Sequence, residues 1–215
     1  MGFLRSIVDL FLHLDKHLDV VIQDYGVWTY GLLFLILFLE TGLVVTPILP
    51  GDSLLFAAGT FAARGSLDLA TLLGLLTAAA ILGDAVNYSI GYFLGPKVLT
   101  GNNRFLKKEY LEKTHAFYER YGGKTIVIAR FVPIVRTFAP FLAGVGRMSY
   151  WQFAMYNVTG AVLWILTCTL AGYFFGNLTV VKNNFTLVVL GIVFVSVLPA
   201  FIEYVRARQA PKAPN

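Results

Sequence analysis

Five ionisable residues stand in stretches that are otherwise apolar: Glu40, Asp52 and Asp84 bring acid, and Arg130 and Arg136 bring base. An ionised side chain in hydrocarbon costs roughly 3 kcal/mol or more unless it is paired or hydrated, so such residues gather around a shared polar space. Arginine keeps its proton under all physiological conditions and presents a fork of N–H donors that matches a phosphate. A carboxylate in a partly dry cavity, with no cation close by, can load and release a proton near neutral pH. The set therefore suits a phosphate-bearing substrate held by Arg130 and Arg136, with protons carried by Glu40, Asp52 and Asp84. Asp84 also fits a purely cross-helix hydrogen-bonding role. A second reading makes all five residues ion pairs that fasten helices together.

The backbone around these residues is broken. Between Glu40 and Asp52 the chain runs through Pro47, Pro50 and Gly51, and the stretch with the two arginines carries Pro133 and Pro140. Proline removes a helical hydrogen bond, and irregular backbone at membrane depth must line a cavity or be buried in protein. The segment after Pro47 is too short and too interrupted to cross a core about 30 Å thick. Both broken stretches are thus expected to be re-entrant hairpins, over about residues 46–64 and 125–147, with Asp52 or Ser53 capping a short helix in the first.

Composition agrees with a membrane setting. Of 215 residues, 57% are hydrophobic and 13% charged, and the mean hydropathy is +0.70. These values exclude an ordinary soluble domain. The formal net charge of +5 comes from basic residues beside apolar runs, so it reports membrane orientation and no nucleic-acid partner. Residues Leu69 to Leu94 and Trp151 to Phe175 read as full spans, the latter opened by a capping box at Ser149 and Gln152. A further run enters the bilayer from Gly31 to Val45, and a last one covers Phe185 to Tyr204. Residues 1–26 and the basic interval from Pro96 to Lys124 have the spacing of amphipathic helices that lie along the interface. The membrane domain takes in residues 27–206, followed by a basic tail over 207–215.

Minor patterns carry less. His13 and His17 with Asp9 share a helical face, which a polar surface explains as well as a metal does, and no metal site or cofactor is expected beyond the proton. The single Cys168 permits no internal disulfide. Gly2 with Ser6 matches a loose myristoylation pattern, and sequons begin at Asn157, Asn177 and Asn184 in or against apolar runs; chance accounts for both. Gly74, Ala78 and Gly83 can pack helices within one chain or between copies, leaving the oligomeric state open.

Topology follows from the basic regions. If the interval before Lys124 and the C-terminus both face the cytoplasm, an even number of crossings separates them, and the stretch with Arg130 and Arg136 re-enters. The same parity puts the N-terminus on the cytoplasmic side. The two hairpins then dip in from opposite faces. A short internal echo supports this, since Phe56-Ala57-Ala58-Gly59 and Gly91-Tyr92-Phe93 return as Phe141-Leu142-Ala143-Gly144 and Gly172-Tyr173-Phe174. The expected fold is an all-α integral membrane protein: an inverted repeat with two opposed re-entrant helical hairpins, about three to four full transmembrane helices and two interfacial amphipathic helices.

The stretches FLETGLVVTPILPGDSLLFAAG and ARFVPIVRTFAPFLAG resemble the two signature regions of the DedA family, also called the SNARE-associated Golgi or VTT-domain family. The likeness runs over about Asp15 to Arg206. It implies a bacterial inner-membrane protein that moves lipids across the bilayer, undecaprenyl phosphate or phospholipids among them, in some members at the expense of the proton motive force. It also implies functional roles for Glu40, Asp52, Arg130 and Arg136, all of which match. Beside a transporter stand two alternatives, a lipid-modifying membrane enzyme and a non-transporting structural protein. The enzyme is disfavoured by the lack of H-E-x-x-H and G-x-S-x-G motifs and of a histidine in the membrane core.

Overall fold

A computed structural model of the chain describes residues 26–43, 51–100, 122–179 and scattered positions from 181 to 194. The interfacial helix expected at 1–26, all but the ends of the one expected over 96–124, Pro47 and Pro50, and the basic tail lie outside these residues; at its start, 96–100 continue the preceding span as one helix and do not open a new element. Among the described residues the structure is helical throughout, with α1 at Trp28–Gly42, α2 at Gly51–Ala63, α3 at Leu69–Thr100, α4 at Lys124–Ala129, α5 at Pro133–Val145 and α6 at Tyr150–Phe175.

Two of these helices set the scale. The apolar parts of α3 and α6, Leu69–Leu94 and Tyr150–Phe175, have 26 residues each, which at about 1.5 Å per residue exceeds a 30 Å hydrocarbon core. Only a third of each apolar window is buried. The remainder is apolar yet exposed, including Leu82, Val86, Met155, Val158, Val162 and Leu163, while Trp28, Tyr150 and Trp151 stand exposed at helix ends. Exposed aliphatic belts rimmed by Trp and Tyr are the surface that lipid, not water, selects.

Two helix starts carry side-chain caps. Ser149 caps α6, its hydroxyl oxygen accepting the Gln152 amide. Asp68 opens α3 by accepting the Thr71 amide at 2.8 Å and the Thr71 hydroxyl at 2.6 Å. These bonds hold the Asp68 carboxyl below its ordinary range. The Tyr30 oxygen accepts the Asp68 amide at 2.6 Å, which ties the start of α1 to the same turn.

The short helices pack crosswise. Helix α2, buried over nearly its whole surface, lies chiefly against α6, and α5 lies chiefly against α3. Each broken element therefore rests on the long helix of the other half of the chain. The contacts repeat: a Cβ on Gly59 would strike the Thr169 carbonyl and the Tyr173 amide, and one on Gly172 the Phe56 carbonyl. In the other pair, a Cβ on Gly144 would strike the Tyr88 carbonyl and Tyr92 amide, and one on Gly91 the Phe141 carbonyl. The internal echo of Phe-x-Ala-Gly and Gly-Tyr-Phe is thus two copies of one backbone-to-backbone contact, exchanged between halves. Thr60 adds a hydrogen bond to the Gly172 carbonyl at 3.2 Å.

Small residues elsewhere divide by location. Gly83 lies under Thr41 and the Phe38 carbonyl of α1, a contact within the chain, whereas Gly74 faces open space. The apolar core between α1, α2, α3 and α6 is formed by Leu33, Leu37, Leu55, Phe61, Leu72, Leu76 and Ile165.

Overpacking at a backbone contact has no flexible neighbour to absorb it, so Gly59→Ala and Gly144→Ala should each destabilise the purified protein by about 1–3 kcal/mol. Gly74→Ala, on an open helix surface, should be neutral or gain up to about 1 kcal/mol from helix propensity. Thermal unfolding in detergent compares the three, and equal melting temperatures would contradict the packing described.

Candidate functional site

The end of α1, the start of α2 and the first half of α5 meet at one arginine. Arg136 is 7% exposed and donates through Nη2 to Glu40 Oε1 and through Nη1 to Asp52 Oδ1, the latter at 2.9 Å. Glu40, on the last turn of α1, is 1% exposed, while the Asp52 side chain keeps 20% of its surface. Among the described residues, one arginine is thus shared by two carboxyl groups in nearly dry surroundings.

Local chain geometry makes this approach feasible. Glu40 Oε1 also accepts the Gly51 amide at 3.2 Å, so Glu40 satisfies an early N–H of α2 from across the break. The sequence had suggested Asp52 or Ser53 as the cap; both already lie inside the helix, and the Asp52 carboxylate is turned toward Arg136. A side chain at Gly51 would collide with the Glu40 carboxylate, which gives that glycine a role beyond breaking the helix. On the other side, Val132 is extended and Pro133 begins α5. Proline suits a first helical position, where its missing N–H costs nothing. Pro140, expected as a breaker, instead lies inside α5; the helix runs on through it, and it has no N–H to offer the Arg136 carbonyl one turn back.

Arg130 belongs to a second cluster. Its Nη2 donates to Asp84 Oδ2 on α3 and to Asn157 Oδ1 on α6, the latter at 2.5 Å. Asn157 in turn donates to the Ile81 carbonyl at 3.1 Å. Gly160 leaves room for the arginine, since a Cβ there would press on Arg130 Cδ. Here one cation meets one anion and a neutral amide, all three buried. The five charged residues singled out in the sequence are brought close, but as two groups of different charge balance.

Trp164 of α6 joins the groups. Its ring centroid lies 4.8 Å from the Arg136 guanidinium and 5.9 Å from that of Arg130, and its indole N–H donates to Asp52 Oδ1 at 2.7 Å. The indole both orients the acid and offers its π faces to the cations. Asn87 makes a parallel tie, donating to the Thr41 carbonyl at 3.1 Å and the Thr137 carbonyl at 2.8 Å. Trp164 and Asn157 were not picked out from the sequence. Their signal was present as a buried stripe of polar and small residues, Asn157, Gly160, Ala161 and Trp164, at helical spacing.

A cavity of about 420 Å³ reaches Asp52 between Phe131, Trp164, Cys168, Val188 and Ile192. Its walls are apolar apart from the acid, and Cys168 is a free, half-buried thiol on it. Glu40 Oε2, Arg136 Nε and Arg130 Nε are buried without a hydrogen-bond partner among the described residues, and such atoms cost about 1–3 kcal/mol each. Among the described residues no group of His, Cys, Asp and Glu has the arrangement of a metal site.

The VTT domain family matches residues 49–174 of the chain. The sequence is similar to Protein DedA of Escherichia coli strain K12, with 54% identity over 98% of this chain and 97% of that protein. It is 45% identical to an uncharacterized membrane protein of Mycobacterium leprae, over 78% of this chain and 75% of that one. Inner membrane protein YqjA of Escherichia coli is 37% identical over 69% of this chain and 68% of its own length. No solved structure matches the chain.

Removing one partner of a buried ion pair strands the other, so Arg130→Met should cost about 3–5 kcal/mol of stability. Adding Asp84→Leu should recover most of that loss, because the stranded acid is gone. A double-mutant cycle by denaturation in detergent reads the coupling; additive losses would show that the two residues do not act as a pair.

Proposed function

Because the chain belongs to the DedA family of VTT-domain membrane proteins, we propose that it transports a phosphate-bearing lipid across the bacterial inner membrane, coupled to protons. The observation that carries this reading is Arg136 shared between two acids, Glu40 and Asp52, with Asp52 opening onto an apolar cavity. The phosphate of a polyprenyl phosphate or a phospholipid would take the Arg136 fork, and its chain would remain along the apolar wall or in the surrounding lipid.

Charge counting then links substrate to proton. A phosphate monoanion on Arg136 would set three negative charges around one positive in low dielectric, which is strongly disfavoured. Protonation of Glu40 or Asp52 removes one of them and releases Arg136 from that acid. Substrate and proton would thus enter together, and neither would need to move far. Asp52, the more accessible acid, would exchange its proton with the cavity, and Glu40 would follow through the shared arginine. In this reading the broken stretches are hairpins that re-enter from opposite faces, with both termini cytoplasmic, so that the trio could open to each side in turn.

Arg130 and Asp84 take a different part. Their balanced, fully buried pairing with Asn157 favours a fastening role between α3, α6 and the turn before α5. Arg130 would act on substrate only through its stacking on Trp164. The family resemblance assigns Arg130 a functional role, and holding Trp164 and the start of α5 in place is sufficient to produce one. No bond is broken in this mechanism, so the protein would be a transporter and not an enzyme.

Liposomes holding the purified protein should accelerate exchange of a labelled polyprenyl phosphate or phospholipid between leaflets, faster with an imposed pH gradient than without. Arg136→Ala should abolish this movement while the protein remains folded by circular dichroism, and Asp52→Asn should remove the response to the gradient. Release of inorganic phosphate from the same lipid would instead identify an enzyme, and an inert protein in which only stability responds to these substitutions would identify a structural one.

A further inference from the structure

A second cavity, of about 500 Å³, lies among Tyr88, Tyr92, Phe93, Arg147, Ser149 and Tyr150. None of its lining residues belongs to the Arg136 trio or to the Arg130 group, and Tyr92 stands eight residues beyond Asp84 of that group on α3, about 12 Å along the helix axis. The turn that forms its floor has an unusual residue choice. Helix α5 ends with the Arg147 amide donating to the Gly144 carbonyl and the Met148 amide to the Ala143 carbonyl, both at 3.0 Å. This bonding pattern places one residue in the left-handed region, a position that glycine ordinarily fills. Here it is Arg147, with φ of 53°, although glycines stand at 144 and 146 just before it.

An arginine where glycine fits better directs attention to its side chain. The guanidinium lies over the Tyr92 ring at 6.0 Å, and the Tyr88 hydroxyl donates to the Met148 carbonyl, pinning the turn beneath it. Ser149 accepts the Gln152 amide, which leaves its own proton to donate. Around the mouth, Phe93 and Tyr150 are exposed, at the end of α6 where the aromatic belt marks the membrane boundary. The cavity thus combines a fixed cation and a hydroxyl donor with apolar ring faces at the depth of lipid head groups.

We propose that this cavity binds the phosphate-bearing head group of a membrane lipid at the bilayer interface, with Arg147 on the phosphate and the tyrosine and phenylalanine rings along the glycerol and upper chain. The site is separate from the transport reading and does not depend on it. Phosphate at Arg147 gains a charge-assisted hydrogen bond, and the neighbouring rings exclude water that would weaken it.

The residue choice supplies the test. Arg147→Gly removes the cation and puts the ordinary residue at the left-handed position, and Arg147→Asn does the same with a side chain that tolerates it. Native mass spectrometry of the full chain, titrated with phosphatidylglycerol, should show both variants losing one bound lipid, with retention weakened on the order of tenfold. Their melting temperatures should equal or exceed that of the unsubstituted protein. Unchanged lipid retention in both variants overturns the proposal. Unfolding of both also overturns it, because Arg147 would then serve the turn itself. Displacement of the lipid by an equal concentration of inorganic phosphate would make the cavity a free-anion site and would equally defeat the lipid assignment.

Discussion

One guanidinium holds together two acids from two helices in this protein, and most of the surrounding architecture is a consequence of sheltering it. Removing three charges from water costs several kcal/mol for each, and mutual attraction repays that only when geometry is good and remaining polar atoms are satisfied. Arg136 reaches Glu40 and Asp52 at once, the Gly51 amide satisfies part of Glu40, and the Trp164 indole satisfies part of Asp52. The arrangement leaves Glu40 Oε2 and Arg136 Nε unpartnered among the described residues. A cluster built for stability alone would be better served by apolar side chains of similar volume.

Bringing α2 and α5 to one point requires close approach of backbones, which explains the exchanged packing. The cost is a demand for glycine at four places, Gly59, Gly91, Gly144 and Gly172. At each of them a side chain would meet a main-chain atom. The same exchange makes the two halves interdependent, since α2 and α5 each find their main partner in the other half.

Much of this was legible in the sequence, for reasons that can be named. The two spans follow from length and apolarity, the start of α6 from Ser149, and the gathering of Glu40, Asp52 and Arg136 in one place from the high cost of charge in lipid. The internal echo of Phe-x-Ala-Gly and Gly-Tyr-Phe was visible too. What it meant was not, because sequence order says nothing about which long helix a short one rests on. Pairing was hidden for the same reason: Arg130 could choose among three acids until the rotation of α3 and α6 about their axes placed Asp84 and Asn157 beside it. Trp164 looked like one more aromatic in an apolar span, and only three-dimensional proximity shows it against both arginines. Pro140 misled, since a proline in a short helix reads as a break, whereas packing of α5 on α3 carries the helix through it.

The contrast between the two arginines is therefore one of charge balance more than of position. Arg130 has one acid and one amide, and every charge in its group is cancelled. Nothing is gained there by adding a proton or an anion, because either would create an uncompensated charge in a buried place. Arg136 is shared by two acids among the described residues. A proton on either acid improves the balance, and a protonated acid leaves an arginine N–H without its anionic partner. In the proposed transport a phosphate monoanion would take that N–H, returning the three side chains and their ligand to the net charge the trio has with both acids ionised. Two arginines six positions apart on one chain, facing one tryptophan, are thus given opposite chemical dispositions by a single additional carboxylate.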